Sequence, residues 1–196
     1  MTISEGQNKK LQDIVGTSRN IFFKAMYGFD PEEWGGVNFQ YIDKFLKESQ
    51  EGDLVAIYVT KNAANAPSGY RGKIVGFYEI SHKKIGLKDC ISPVEQELFK
   101  DEIKQGKWKD CLKATRAWEI IIKDRKPVEH ILPATYSPEN ARLIDSITPK
   151  LTDTETRNLL ALRVSERKIY DKNYDTAGSL HSQKQADQAK TLCNRL

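Results

Sequence analysis

The stretch Leu54-Val-Ala-Ile-Tyr-Val-Thr60 decides the fold, because a strand of this composition would be largely apolar on both faces. Such a strand lies in the middle of a sheet and not at its edge. A polar loop over residues 62–70 separates it from a second strand-like stretch, Lys73–Ser81. Together they predict an antiparallel pair with a long connection. Gly76, in the middle of the second strand, indicates a bend or a close backbone approach, as barrels often need.

Other elements are predicted on both sides of this pair. Before it, Asn20–Ala25 has the composition of a buried strand, and a helix capped by Asn38 and closed by Gly52 carries apolar residues at helical spacing. After it, we predict a helix begun by the capping box Ser92–Glu95 and a strand over Ala114–Lys123. Further along the chain we predict a short strand over Val128–Leu132, a helix opened by Ser137-Pro138, and a helix that begins with a capping box of Thr152 and Glu155 and extends to Tyr170.

The order of these elements lacks a regular alternation of strands and helices, which argues against a doubly wound parallel sheet. We therefore predict an α+β fold, a mixed β-barrel flanked by helices, with a C-terminal helical extension. Residues 1–16 are predicted to be a flexible N-terminus, residues 17–150 a single domain, and residues 151–196 the helical extension with a polar tail.

The composition restricts the classes of function. No apolar run approaches the roughly 18 to 20 residues of a membrane span, so we expect a soluble cytoplasmic protein with no membrane partner. Three widely spaced cysteines, Cys90, Cys111 and Cys193, are predicted to be reduced thiols.

Motifs for catalysis are missing from the sequence. The three histidines, His82, His130 and His181, lie in separate segments without a ligand partner at a recognised spacing, and no glycine-rich phosphate loop is present. We therefore expect no metal, no cofactor and no enzymatic activity.

The positive charge is concentrated in one part of the chain. The formal net charge is +4, and the stretch Lys100–Lys126 contains nine Lys or Arg against five Asp or Glu, which is also an excess of four. A basic stretch of this kind fits a polyanionic partner, and it equally fits a solvated charged surface.

Two tryptophans lie in polar loops. Trp34 is in a glycine-rich loop before a helix, and Trp108 is in the lysine-rich stretch Gln105-Gly-Lys-Trp-Lys109. Each indole either folds back to seal the core or stacks on a ligand. In the second interpretation the two rings hold one nucleic-acid base, since an aromatic face contributes about 1 to 3 kcal/mol per stacked base, and nearby lysines contact the phosphates.

Several stretches resemble the YTH and EVE domains of the PUA-like superfamily. Asn20-Ile-Phe-Phe-Lys-Ala25 with the loop tryptophan is similar to the opening of these domains, Gly52-Asp-Leu-Val-Ala-Ile-Tyr58 to the second strand and Gly72-Lys-Ile-Val-Gly-Phe-Tyr78 to the third. Lys107–Trp118 resembles the YTH segment that carries a cage tryptophan. The resemblance covers residues 16–150.

This resemblance implies a base pocket, often one for an N-methylated adenine, in DNA or RNA. Trp34 and Trp108 would be the cage walls, and Trp118 would be a core residue. The remaining residues that the resemblance places at the pocket or on the nucleic acid are Phe23, Lys24, Met26, Tyr27, Tyr58, Lys107, Lys109 and Arg116. Where the family usually has a polar residue after the first strand, this chain has Met26-Tyr-Gly28, which leaves the identity of the base open.

The resulting hypothesis is a non-catalytic reader that flips a modified base into an aromatic cage. Any cleavage of the nucleic acid would then require a separate effector nuclease or translocase subunit. Three alternatives remain open at this point: an unselective RNA-binding module, a small nucleotide-processing enzyme with a cryptic site, and a protein-interaction domain that uses the tail after Tyr170.

Overall fold

The computed structural model describes residues 9–29, 31, 34–38, 42–63, 66–90, 96–97, 100–106, 109–125, 127 and 149–169. They form a mostly antiparallel sheet with short helices around it. The strands are β1 (Lys9–Lys10), β2 (Ile21–Met26), β3 (Gly36–Asn38), β4 (Leu54–Val59), β5 (Lys73–Gly86), β6 (Asp110–Ile120) and β7 (Arg163–Arg167). The α-helices are α1 (Leu11–Val15), α2 (Ile42–Glu48), α3 (Lys100–Lys104) and α4 (Asp153–Leu160), and 3-10 turns cover Leu87–Asp89 and Ile122–Asp124.

The strands are hydrogen-bonded in the order β1-β7-β6-β5-β4-β2, and β3 pairs with β6 beside this path. The β2–β4 pair is parallel and the other pairs are antiparallel. The predicted α+β class is confirmed. The sheet is not closed over the described residues, so the barrel predicted from the sequence is not completed there by strand pairing. The outer edge of β2 instead bonds to residues 149–151, through Phe23 N to Pro149 O at 2.9 Å and Leu151 N to Ile21 O at 2.8 Å.

The central strand pair is confirmed. All six residues of β4 are buried, and β4 has β2 on one side and β5 on the other. Because successive side chains of a strand point to opposite faces, the sheet has a core on each side. The first face carries the cluster of Phe23, Tyr58 and Trp118, and the second face carries the cluster of Phe22, Trp34 and Tyr78.

Gly76 makes the close approach that its position predicts. A Cβ atom at this residue would lie 2.4 Å from the carbonyl oxygen of Trp118 and 2.5 Å from Cη2 of Trp34. The register between β4 and β5 shifts next to it, between Ile57 and Tyr58. The missing side chain therefore lets the Trp34 indole lie directly against the backbone of β5 on the second face.

Two helix predictions are corrected by tertiary contacts. Asn38 does not cap a helix, because it is the last residue of β3 and pairs with Cys111 of β6, and the helix begins at Ile42. The capping box of Thr152 and Glu155 is confirmed, but the helix ends at Leu160 and not at Tyr170. The chain then turns into β7, because Val164 is buried in the first-face cluster opposite Ile120.

Over its described part, from Lys9 onwards, the N-terminal segment packs into the fold. Lys9 and Lys10 pair with β7, and Leu11 is completely buried in the first-face cluster. Residues 9–15 are therefore part of the fold. The sequence did not indicate this, because Leu11 is surrounded by polar residues. The predicted elements at Ser92–Glu95, Val128–Leu132 and Ser137-Pro138 lie outside the described residues. Within the described part of the chain, no helix is long and apolar enough to cross a membrane.

The prediction of three reduced thiols is wrong for two of them. Cys90 and Cys111 form a disulfide with their Cα atoms 6.4 Å apart. The bond connects the turn after Leu87–Asp89 to the start of β6, and both sulfurs are buried. Their spacing in the sequence gave no indication of this pairing, because β5 and β6 bring them together.

We predict that reduction of this disulfide destabilises the fold. Closing a chain segment of 21 residues restricts the unfolded state by about 3 kcal/mol. Urea unfolding with and without a phosphine reductant measures the change. The double variant Cys90→Ser/Cys111→Ser is the control, because the reductant should not alter its midpoint. Three thiols that react with iodoacetamide in the unreduced, unfolded protein would contradict the pairing.

We also predict that Gly76→Ala destabilises the fold by about 1 to 3 kcal/mol, the usual effect of an added methyl group in a filled core. The obstacles include the backbone oxygen of Trp118, which has no rotamer to move to. Gly69→Ala is the matched control, because no atom lies within 4 Å of a Cβ there, and it should stabilise slightly. Equal urea midpoints for the two variants would show that Trp34 does not lie over Gly76.

Candidate functional site

The predicted site residues lie on two different faces of the sheet. Phe22 and Phe23 are neighbours on β2 and belong to the second-face and first-face clusters respectively. The alternation of β2 therefore separates Phe23 from Trp34. The structure does not bring together the predicted pocket of Phe23, Tyr58 and Trp34.

The predicted residues on the first face have structural contacts. The rings of Phe23 and Tyr58 stack with centroids 5.7 Å apart. The Arg116 guanidinium lies 4.6 Å from the ring centre of Trp118, and its Nε is 3.2 Å from a Glu166 carboxylate oxygen. Trp118 is completely buried, as the resemblance implied. These contacts hold the first-face core and the β6–β7 pair together.

Trp34 is buried and forms part of the second-face core. Its side chain is 1% exposed, and its Nε1 donates a hydrogen bond to the carbonyl of Pro31 at 2.9 Å. The indole makes edge contacts with Phe29 at 5.3 Å and Tyr78 at 5.5 Å. Of the two interpretations of this loop residue, sealing of the core is the one that the structure shows. The prediction that Trp34 presents an exposed face for stacking is therefore wrong, because the ring fills the space above Gly76.

The other predicted contact residues are more accessible. Met26, the last residue of β2, is partly buried against the second-face cluster, and Tyr27 directly after it is 43% exposed. Lys109 is exposed just before β6. Lys107 and Trp108 lie outside the described residues, so the second predicted cage wall stays a prediction.

Two charged side chains are buried on the face of the sheet that carries Trp34. Strand register aligns Lys24 with Ile57, Ile57 with Gly76, and Gly76 with Glu119. Residues directly opposite each other on paired strands share a face, so this row crosses the second face under the indole. Lys24 is only 5% exposed and Glu119 only 7%. Burial of charged groups is unfavourable unless they have partners.

Glu119 is the centre of a buried polar cluster, which we call the Glu119 cluster. Its carboxylate accepts hydrogen bonds from Tyr70 Oη at 2.8 Å and from the guanidinium groups of Arg125 and Arg167. Arg125 also donates from Nε to the carbonyl of Ile120 at 3.0 Å, and its guanidinium lies 3.9 Å from the ring centre of Tyr70. The cluster contains two positive charges and one negative charge.

The Glu119 cluster also determines how Tyr70 ionises. Burial, followed by the hydrogen bond to Glu119, raises the pKa of Tyr70 above 10.0. A group whose pKa is higher in the folded state contributes stability below its unfolded pKa and loses it as the pH rises further. Tyr70 therefore keeps its proton, and its hydrogen bond to Glu119, throughout the neutral range.

The Glu119 cluster and the Trp34 ring belong to one site, because Phe29 is in contact with both. The Phe29 ring lies 5.3 Å from Trp34 and 5.4 Å from Tyr70. We call this combination the second-face site. It contains Phe29, Trp34, Tyr70, Tyr78, Glu119, Arg125 and Arg167.

Sequence reasoning missed the polar half of this site. One indication was available, since Glu119 interrupts the apolar stretch from Trp118 to Ile122. A carboxylate inside a strand with apolar neighbours requires a positive partner. The sequence could not show that the partners are Arg125 and Arg167, because the second of these reaches Glu119 only through the pairing of β6 with β7.

Comparison with known proteins leaves the family open. No protein-family model, curated protein or solved structure matches the chain. Over the described residues, no group of three or more His, Cys, Asp and Glu side chains is placed to hold a metal ion. The likeness to the PUA-like superfamily therefore depends on the quoted sequence stretches alone.

We predict that Glu119→Gln destabilises the fold by about 3 to 5 kcal/mol, because it leaves buried Arg125 without its counter-ion. Glu166→Gln is the matched control. Glu166 pairs with an arginine on the same two strands, but its side chain is 60% exposed, so its loss should change stability by less than about 1 kcal/mol. Both values come from urea unfolding at pH 7. A Glu119 variant as stable as the Glu166 variant would show that the carboxylate is not the centre of a buried cluster.

Proposed function

We propose that the chain is a non-catalytic module that binds nucleic acid and reads one modified base at the second-face site. The observation that carries the proposal is the position of the Trp34 ring, which lies over Gly76 with buried Lys24 and Glu119 at opposite ends of the same row. A PUA-like fold is part of this proposal, as is a separate effector subunit for any cleavage.

The chemistry of the second-face site suits a base. Aromatic faces attract the π-surface of any base, and an electron-rich ring also attracts a methylated or cationic one. Glu119 can accept a hydrogen bond from an exocyclic amino group, and the arginines can donate to ring nitrogens or carbonyl oxygens. The rings would provide most of the affinity and the polar groups the selectivity, as is usual in small-molecule sites.

The burial of Trp34 sets a condition on binding. At 1% exposure, the indole has no face that a base can reach without displacing a neighbouring group. A base that stacks on Trp34 must therefore shift the contacts to Phe29, Tyr78 or Pro31. Binding at this ring would change the environment of the indole, so we expect the tryptophan fluorescence to change on binding.

The backbone of the nucleic acid would lie on exposed lysines. Lys100, Lys104 and Lys109 are all exposed, although Lys100 also pairs with Glu97. Such contacts to phosphates hold the strand in position without reading its sequence. They also make the affinity depend on salt, because each neutralised phosphate releases counter-ions.

The test is a titration of labelled single-stranded and double-stranded oligonucleotides, in DNA and in RNA, that contain either adenine or N6-methyladenine at one position. We predict tighter binding of the methylated strand, because the methyl group adds contact with the rings. Mass spectrometry of the recovered oligonucleotide should show no change, since the module is proposed not to be an enzyme. Equal affinity for both bases in every polymer, or turnover of the oligonucleotide, would contradict the proposal.

Two matched tryptophan variants separate binding from folding. Trp34→Phe and Trp118→Phe each shorten an almost fully buried indole, but on opposite faces of the sheet. Both should lower stability by similar amounts. Only Trp34→Phe should weaken binding of the methylated strand, by about fivefold or more, since a stacked base is worth about 1 to 3 kcal/mol. An equal effect of the two variants on affinity would place the base elsewhere.

A second candidate is an unselective RNA-binding module. The observation that favours it is the burial of Trp34 and Tyr78 together with the exposure of Lys109. Such a module would bind through phosphates alone. It would show a steep dependence on salt, no preference for the methylated strand, and no response to Trp34→Phe beyond the loss of stability.

A further inference from the structure

A polar cleft lies at the start of β2, away from the second-face site. It is formed by the linker between α1 and β2, the segment beside the outer edge of β2, and the first turns of α4. Its volume is about 310 Å³, at the lower end of the range for small-molecule sites. The lining residues are Thr17, Ser18, Arg19, Asn20, Lys150, Leu151, Asp153, Thr156 and Arg157.

The charges around this cleft favour an anion. Arg19, Lys150 and Arg157 contribute three positive charges, and Asp153 contributes one negative charge. The side chains of Lys150, Asp153 and Arg157 are exposed, so they can move towards a ligand without disturbing the core. None of the lining residues is aromatic, which disfavours stacking of a base in the cleft itself.

Arg19 is held in place by the protein. Its Nη1 donates to the carbonyl of Gly52 at 2.8 Å and its Nε approaches the carbonyl of Val15 at 3.4 Å. Both partners are backbone groups, and no carboxylate of the described residues forms an ion pair with Arg19. A guanidinium that is already fixed loses little conformational freedom when it binds, and it retains donors that suit a phosphate.

We propose that this cleft binds a phosphate group, with Arg19 as the fixed donor and the exposed Lys150 and Arg157 as further cations. The hydroxyl groups of Thr17 and Ser18 line the same cleft and can donate to phosphate oxygens. The phosphate could belong to a free nucleotide or to the backbone of a nucleic acid. Only the second source depends on the proposed function.

The test compares two double charge reversals in the full chain. Lys150→Glu/Arg157→Glu changes the cleft, whereas Lys44→Glu/Lys47→Glu changes two exposed lysines on α2 by the same total charge. Calorimetric titrations at low salt use three probes: inorganic phosphate, adenosine 5′-monophosphate and an unmodified single-stranded oligonucleotide. We expect the cleft variant to lose about tenfold in affinity for at least one probe relative to the α2 variant.

The pattern of losses identifies the source of the phosphate. Loss of inorganic phosphate and mononucleotide binding supports a site for free nucleotides, and loss confined to the oligonucleotide supports a backbone contact. Equal affinities of the two double variants for all three probes would overturn the proposal. Failure of the base reader is distinguishable from this result, because it appears as equal binding of methylated and unmodified strands by the unaltered chain.

Discussion

The contact between the Trp34 indole and the backbone of Gly76 is the constraint on which the second face depends. A tryptophan can lie so close to a strand only where the strand lacks a side chain, and any other residue at position 76 would bring a Cβ atom within 2.5 Å of both Trp118 O and the Trp34 ring. The ring in turn contacts Phe29 and Tyr78, and Phe29 contacts Tyr70. One missing Cβ atom thus sets the positions of four aromatic rings, and the Glu119 cluster packs against the last of them.

The Glu119 cluster adds specificity to this packing at an energetic disadvantage. Burying the ionised groups of Glu119 and Arg125 is unfavourable, and an apolar replacement of similar volume is often as stable or more stable. Its geometry is nevertheless well satisfied, since Tyr70, Arg125 and Arg167 all donate to one carboxylate. One atom is an exception, because Arg167 Nε is buried and has no hydrogen-bond partner among the described residues. Unsatisfied buried donors are uncommon in native proteins.

The central strands and the capping box of Thr152 could be predicted from the sequence, because each depends on residues that are neighbours in the chain. Gly76 indicated a close approach, but the sequence did not show that the groups it approaches are Trp34 and the backbone of Trp118. The predictions that failed depend instead on contacts between residues that are distant in the sequence. Asn38 lies in a strand and Cys111 in a disulfide because β6 brings together residues that are distant in sequence. The alternation of β2 shows from sequence alone that Phe22 and Phe23 face opposite sides. It does not show which side the Trp34 loop covers, so the candidate site combined residues from both faces.

The position of Trp34 couples stability to binding in any function that uses this ring. A ligand that binds only after the ring is uncovered has an apparent affinity reduced by the fraction of molecules in the uncovered state. Every contact that stabilises the second face, from Phe29 to Tyr78, lowers that fraction. A residue change that loosens the second-face core can therefore weaken the fold and strengthen base binding at the same time. In a site built only on exposed lysines, a loss of stability would not strengthen binding, because phosphates reach those side chains in the folded protein without any rearrangement.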